Sequence, residues 1–248
     1  MKRLLPHILY NGNDMKLSDL FEQLTYGELS SVFMGGVDNI GIEPDKYNQI
    51  IPHVNLGLIE LYKRFPLRTE EVIIKLYDQI QVYYLEWKYA QTNTESTEPI
   101  KYIDDSIYQP FNSNVLKIDS VHDEDGQELF LNDTNEYWSV HTPSYNSILI
   151  PYPDSENSLS VLYRAGPKKI EITNLDPTTQ DVDIPPGLLE PLLFYIAGRV
   201  FSNLNSDGKV EGNTYTQKFE QAIKQIELSG LYKRDNTSNL KLPKQGWV

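Results

Sequence analysis

The sequence contains no cysteine, which excludes disulfide scaffolds, thiolate metal sites and cysteine nucleophiles. No apolar run approaches the roughly 20 residues that a membrane helix requires. Residues 1–9 carry a basic end, but their apolar stretch is short and broken by Pro6, so they read as mature chain and not as a signal peptide. A soluble protein, intracellular or virion-borne, is therefore expected, and the sequons at Asn132 and Asn236 then carry no weight. Basic charge is scarce as well. Lys and Arg number 22 against 35 Asp and Glu, a net charge of −13. That balance argues against tight wrapping of nucleic acid, which needs cations to displace counterions. It permits a surface that DNA slides past, because acid repels phosphate; the plainer reading is that acid keeps the chain soluble.

Reactive motifs are missing too. The four histidines, His7, His53, His122 and His141, form no HExxH or spaced pair, so zinc chemistry is not expected. His53, beside Pro52, reads as a helix histidine with its hydrogen bonds satisfied, and His141 as the end of a strand. Gly35-Gly36 is not followed by a GKS or GKT, and no GxSxG elbow occurs. Asp123-Glu124-Asp125 lacks the ligand register of a calcium loop and reads as an acidic hairpin turn. Asp104-Asp105 reads as a solvated loop. No catalytic residue, cofactor or metal is expected, and the chain is not expected to be an enzyme.

What the sequence has in quantity is tyrosine, 17 residues mostly interleaved with apolar positions. Tyr buries a large ring and keeps a polar tip, which suits strands and wet interfaces. Around it run two periodicities. Leu17, Leu20, Phe21 and Leu24 follow helical spacing, predicting a helix over 17–33 stopped by Gly35-Gly36. A second helix is predicted over 44–65, with Pro44 at its first position, Pro52 kinking it or restricting its start, and Pro66 closing it. From 71 to 89 the period falls to two on β-favouring residues, with Asp78-Gln79 a bend or a turn between two strands. Residues 91–99 are a polar loop. A hairpin is predicted from 115–121 and 127–131 about Asp123–Gly126, with further strands at 137–141, 147–150 and 158–163. No helix long enough for a parallel crossover interrupts this region. After Pro185-Pro186 a third helical stripe runs from Leu188 to Leu204. Residues 205–212 read as a polar loop, Thr214-Tyr215-Thr216-Gln217 as a capping box, and the fourth helix as following it, with Gly230 its stop.

The fold expected is α+β: a four-helix core of two N-terminal and two C-terminal helices, an inserted antiparallel β subdomain, and an extended C-terminal arm. Its parts are residues 1–66, 67–184, 185–230 and 231–248. In the last of these, Lys233, Arg234, Lys241 and Lys244 stand against Asp235 alone, four cations to one acid. The arm reads either as a disordered end or as a segment docking on an acidic neighbour, with Tyr232 at its start and Trp247 as an aromatic anchor.

Leu17-Ser18-Asp19-Leu20-Phe21-Glu22-Gln23-Leu24, residues 47–55, and Leu58-Ile59-Glu60-Leu61-Tyr62-Lys63-Arg64-Phe65-Pro66 resemble the opening of the head-to-tail adaptor and ring proteins of short-tailed bacteriophages. Leu188-Leu189-Glu190-Pro191-Leu192-Leu193 and residues 213–227 are similar to the closing helix pair of that family. Residues 83–89, 103–111 and 145–153 look like the ring proteins of crAss-like phages. The resemblance implies a virion protein forming a dodecameric ring around the DNA exit channel, between portal and tail. Partners would be further copies of the chain, the portal, and neighbouring ring, tail or nozzle proteins, with DNA passing through the lumen without sequence-specific contact and no membrane involved. The helices would build the ring wall, the β part would face the tail, and residues 231–248 would embrace a neighbour or the portal. The family has no catalytic residues to carry over. An alternative is a β-rich receptor or glycan-binding tail module with a helical oligomerisation part, and a carbohydrate-active enzyme would need two carboxylates converging in a cleft.

Overall fold

The computed structural model describes residues 15–32, 42–203 and 206–232. Among them the two periodicities become a mixed α+β fold with four α-helices and antiparallel sheets. In chain order the elements are β1 (Met15–Lys16), α1 (Leu17–Tyr26), α2 (Tyr47–Arg64), β2 (Thr69–Lys75), β3 (Val82–Tyr84), β4 (Ile103–Asp104), β5 (Val115–His122), β6 (His141–Ser144), β7 (Ser147–Leu149), β8 (Ser158–Ala165), β9 (Asp181–Val182), α3 (Leu189–Ser202) and α4 (Ser206–Ser229). They fall into two compact units. Residues up to Leu61 with Lys168–Leu231 form the first, and Tyr62–Pro167 with Tyr232 the second.

In the first unit α1 buries Leu17, Leu20, Phe21 and Leu24, the predicted stripe. Its first free amides are satisfied from far along the chain: Leu17 N donates to Gln180 O (2.9 Å) and Ser18 N to Pro177 O (3.0 Å). β1 and β9 pair antiparallel beside this contact, a strand pair that the sequence reading does not contain. The helix ends at Gly27, short of the predicted Phe33. Gly27 N donates to Gln23 O at 2.8 Å, and a Cβ there would lie 2.7 Å from that same oxygen, so only glycine closes the turn. Leu29 then tucks into the core. The predicted stop at Gly35-Gly36 lies outside the described residues.

Pro44 opens a 3-10 turn, Pro44–Lys46, that leads into α2. The helix continues through Pro52, which lies on the exposed face, while Ile50, Ile51, Val54, Leu58 and Leu61 are buried on the other. The side-chain amide of Asn55 pairs with the backbone of Ile170 in both directions, accepting from its N–H (2.9 Å) and donating to its carbonyl (3.0 Å). A Cβ on Gly57 would lie 2.6 Å from Leu192 Cδ1, so α2 and α3 approach closely there.

The predicted loop over 205–212 is corrected where it is described: α4 runs unbroken from Ser206, and Thr214 and Thr216 lie inside it, their hydroxyls bonded to the carbonyls of Val210 (3.0 Å) and Gly212 (2.9 Å). No capping box forms at that position. The glycine that reads as a breaker is a packing residue. A Cβ on Gly212 would meet Ser202 Oγ, Ser202 N at 2.9 Å and Gly198 O at 3.0 Å, so α3 and α4 touch backbone to backbone through Gly198 and Gly212. Phe219 and Ile223 are buried along the rest of α4. Gly230, with φ +69°, follows its last residue in the left-handed conformation that suits glycine.

The second unit holds two sheets. One has the order β4-β2-β8-β5 and the other β3-β7-β6, with every named pair antiparallel. The segment predicted over 71–89 therefore divides at the turn near Asp78-Gln79 into strands of different sheets. The predicted hairpin keeps its turn but not its ladder. Asp123 N donates to Gln127 O (3.0 Å), Gly126 has φ +77°, and Leu129 N reaches Val121 O (2.8 Å), yet β5 pairs along its length with β8, and 127–131 add only isolated bridges. The strand predicted at 137–141 starts at its last residue, because 133–139 are spent on turns.

Two tyrosine hydroxyls join the sheets. Tyr83, in β3, accepts from Tyr77 N (2.8 Å) and donates to Tyr77 O (3.2 Å), just past β2. The backbone of Tyr102 pairs with β2 through Lys75 N (2.8 Å). Its hydroxyl accepts from Tyr84 N (2.8 Å) and donates to Tyr84 O (3.0 Å) in β3. Both rings are buried and meet edge to face at 5.0 Å. A third buried phenol, Tyr163 of β8, donates to Glu70 Oε2 (2.9 Å) and Asn114 Oδ1 (3.3 Å).

Two expectations follow. Gly→Ala inside a helix ordinarily gains about 1 kcal/mol; Gly212→Ala is expected to lose about 1–3 kcal/mol instead, because the methyl group has no room, as urea denaturation would measure. Burial raises the phenol pKa of Tyr83, Tyr102 and Tyr163 above the ordinary 10.0. Their stabilisation is thus complete below pH 10, where the unfolded phenols begin to ionise, and is lost as pH rises above it. Tyr102→Phe, which leaves the Tyr84 amide unpaired while its carbonyl keeps Glu86 N (3.0 Å), is expected to cost about 1–3 kcal/mol at neutral pH and to reduce the alkaline loss, read by urea denaturation at pH 7 and 10.5.

Candidate interaction surface

Of the residues the sequence nominates for an interface, Tyr232 alone is described; its ring lies 5.6 Å from that of Phe65. Lys233, Arg234, Lys241, Lys244 and Trp247 lie outside the described residues. Among the described residues no cluster of three metal-ligating side chains occurs. The acidic pairs are engaged in structure. Asp105 accepts from Thr92 N (2.9 Å), from Thr92 Oγ1 and from Phe111 N (3.1 Å), and Asp104 pairs with Lys75 at 3.1 Å. Asp123 caps its own turn through Gln127 N (2.8 Å), and Glu124 accepts from Ser158 N (2.6 Å). Two histidine readings are corrected. His141 begins β6 instead of ending a strand. His53 is not satisfied: its Nδ1 is buried with no hydrogen-bond partner among the described residues, and burial, aided by the Arg199 charge, lowers its pKa.

A cavity of about 450 Å³ opens beside β5 and β6, lined by Lys117, Asp119, Asn132, Thr142, Ser144 and Tyr145 among others. Several of its polar groups bond one another or neighbours. Asp119 holds Arg164 Nε at 3.2 Å, Asn132 bonds Thr142 through both amide atoms at 2.8 Å, and Ser144 bonds Ser147 and Asn146.

The outstanding surface feature lies on two loops of the second unit. Tyr137, Trp138 and Tyr152 are 64%, 67% and 49% exposed. Their rings touch pairwise: Tyr137 stacks on Tyr152 at 4.6 Å, and Trp138 meets each of them edge to face, at 5.2 and 5.4 Å. A hydrogen bond with Tyr137 is the first cause of a raised Tyr152 phenol pKa. Exposed aromatic clusters of this kind mark interaction sites.

The loops holding the rings are organised from beneath. Ser139 is buried; its hydroxyl donates to Phe130 O (3.1 Å) and accepts from Asp133 N (2.9 Å). Val140 N bonds Phe130 O and Asn132 N bonds Val140 O, both at 2.8 Å, so the loop closes on itself. Asn132 takes φ +57°, a conformation asparagine tolerates. On the other side Ile150 N donates to Gln81 O (2.8 Å) and Ser155 N to Asp78 Oδ1 (2.8 Å), with Pro151 and Pro153 stiffening Tyr152 between them. A second apolar tip, Ile107-Tyr108, stands at the apex of a turn closed by Ser106 and Gln109.

The sequence reading did not nominate these rings, having assigned 137–141 to a strand. The usable signal was turn chemistry: Asn132-Asp133-Thr134-Asn135 and Pro151-Tyr152-Pro153 surround the aromatics with residues that leave the sheet. No protein-family model matches the chain, and no curated protein matches its sequence.

Ser139→Ala is expected to cost about 1–2 kcal/mol, since it strips the part-buried Asp133 amide of its partner and Phe130 O of one of its two donors. It should also loosen the ring cluster, seen as a red shift of Trp fluorescence and faster amide exchange over 130–140. Trp138→Ala, by contrast, should stay within about 0.5 kcal/mol of the parent in denaturation.

Proposed function

We propose that this chain is a non-enzymatic structural subunit of a virion, forming a ring adaptor between portal and tail that surrounds the DNA exit channel. The observation that carries the reading is the preorganised, exposed cluster of Tyr137, Trp138 and Tyr152. Three large rings held in mutual contact by turns are a surface built to be covered, because their ordering cost is met before a partner arrives. The acidic charge of −13 suits a passage that does not hold DNA, and the resemblance of the opening and closing helices to the adaptor family agrees in element order. In this reading the four helices act as one core, the β-rich unit reaches the adjacent ring, tail or nozzle, and residues 231–248 form an extended arm onto a neighbour or the portal. Dodecameric assembly belongs to the same proposal.

The test is native mass spectrometry of the full chain, alone and with its cognate portal. A twelve-fold species, alone or on the portal, is the expected result. A monomer or trimer indifferent to the portal would overturn the adaptor reading and favour a glycan- or receptor-binding module.

A further inference from the structure

We propose that the cluster of Tyr137, Trp138 and Tyr152 is the receiving surface for residues 233–248 of a neighbouring copy of this chain. The inference rests on the ring reading and deepens it by naming the contact.

The charge of the two loops points to a cationic partner. Residues 130–138 carry Asp133 and Glu136 and no cation; residues 150–157 carry Asp154 and Glu156 and no cation. Exposed aromatic faces beside carboxylates favour Lys and Arg, which gain from both the ring quadrupole and the charge. The segment 233–248 has that composition: Lys233, Arg234, Lys241 and Lys244 against Asp235, with Trp247 and Leu240 and Leu242 for apolar contact. Its reach is sufficient for a contact between molecules. Sixteen extended residues span up to about 50 Å, starting from Tyr232, which is held beside Phe65.

A sugar fits less well. Tyr137 and Tyr152 stack on each other, so each loses a face that a pyranose would need. Several polar groups nearby in sequence are already engaged. Asp133 Oδ1 accepts from Asn135 N (2.9 Å), Asp154 Oδ1 from Glu156 N (3.0 Å), and the Asn132 amide is spent on Thr142. An acceptor ridge and a complementary donor segment on the same chain make a heterologous contact, the kind that builds a ring when its rotation closes.

The experiment uses the full chain carrying Tyr137→p-benzoylphenylalanine, prepared as an equal mixture of ¹⁴N and ¹⁵N protein, with or without portal. Native mass spectrometry first establishes whether rings form; irradiation and peptide mapping then locate the cross-links. The expected result is cross-links from position 137 to peptides within 235–248, joining light to heavy chains. In parallel, Trp138→Ala and Glu136→Lys should each raise the concentration for half-assembly at least about tenfold, with unchanged thermal unfolding. Rings whose cross-links map elsewhere, or join only chains of one isotope, overturn this inference and leave the ring reading standing. Rings that assemble unchanged with Trp138→Ala overturn it too. Absence of any ring from the unsubstituted chain, alone or on the portal, overturns the ring reading and this contact with it.

Discussion

The β-rich unit depends on tyrosine hydroxyls doing the work of a backbone. Tyr83 and Tyr102 each place one oxygen between an amide and a carbonyl of the same residue, Tyr77 and Tyr84. The two carbonyls also accept from turn amides, Ile80 N (2.9 Å) and Glu86 N (3.0 Å), whereas the two amides, where one sheet ends and the other begins, are met by the phenols. A part-buried amide left without a partner would cost more than a typical hydrogen bond contributes. The phenol supplies a donor and an acceptor from one atom, with a ring that fills the space between the sheets. Phe would match the volume and leave the amides of Tyr77 and Tyr84 stranded. The abundance of tyrosine thus has a structural use in the core as well as a surface use.

That junction sets what the loops can do. With β3 tied to the ends of β2 and β4, Gln81 and Asp78 are placed to receive the chain around Tyr152. Opposite, Ser139 serves the 130–140 loop as the tyrosine hydroxyls serve the sheets, taking up the Asp133 amide and adding a second bond to Phe130 O. The result is rings that are exposed yet ordered. Such a surface is expensive to leave uncovered in a chain that carries no basic residue on either loop, and the same polypeptide supplies a basic, Trp-containing end. Complementary charge and apolar contact within one sequence are what a closed head-to-tail assembly requires.

The helical unit follows a different rule. α3 and α4 meet where Gly198 faces Gly212, and α2 meets α3 at Gly57. Glycine inside a helix weakens it locally; here it permits backbones to approach, and the packing gained outweighs the lost propensity. Asn55 and the carbonyls of Pro177 and Gln180 tie residues 168–182 to α1 and α2.

The sequence by itself determined the periods, and with them the helical or extended character of each long segment. Leu17, Leu20, Phe21 and Leu24, the stripe of α2, and the alternation of β8 were legible because a buried face imposes its spacing on local residues. The glycine turns at Gly126 and Gly230 were legible for the same local reason. What tertiary structure decided was everything set by a distant partner. Whether Gly212 breaks a helix or packs it depends on Ser202 and Gly198 facing it. Whether β5 pairs with 127–131 or with β8 depends on which edge buries more, which no window of sequence contains. The ring cluster escaped sequence reading because Tyr137, Trp138 and Tyr152 are brought together by loops closed through Ser139 and Gln81, and an exposed aromatic carries no period to betray it.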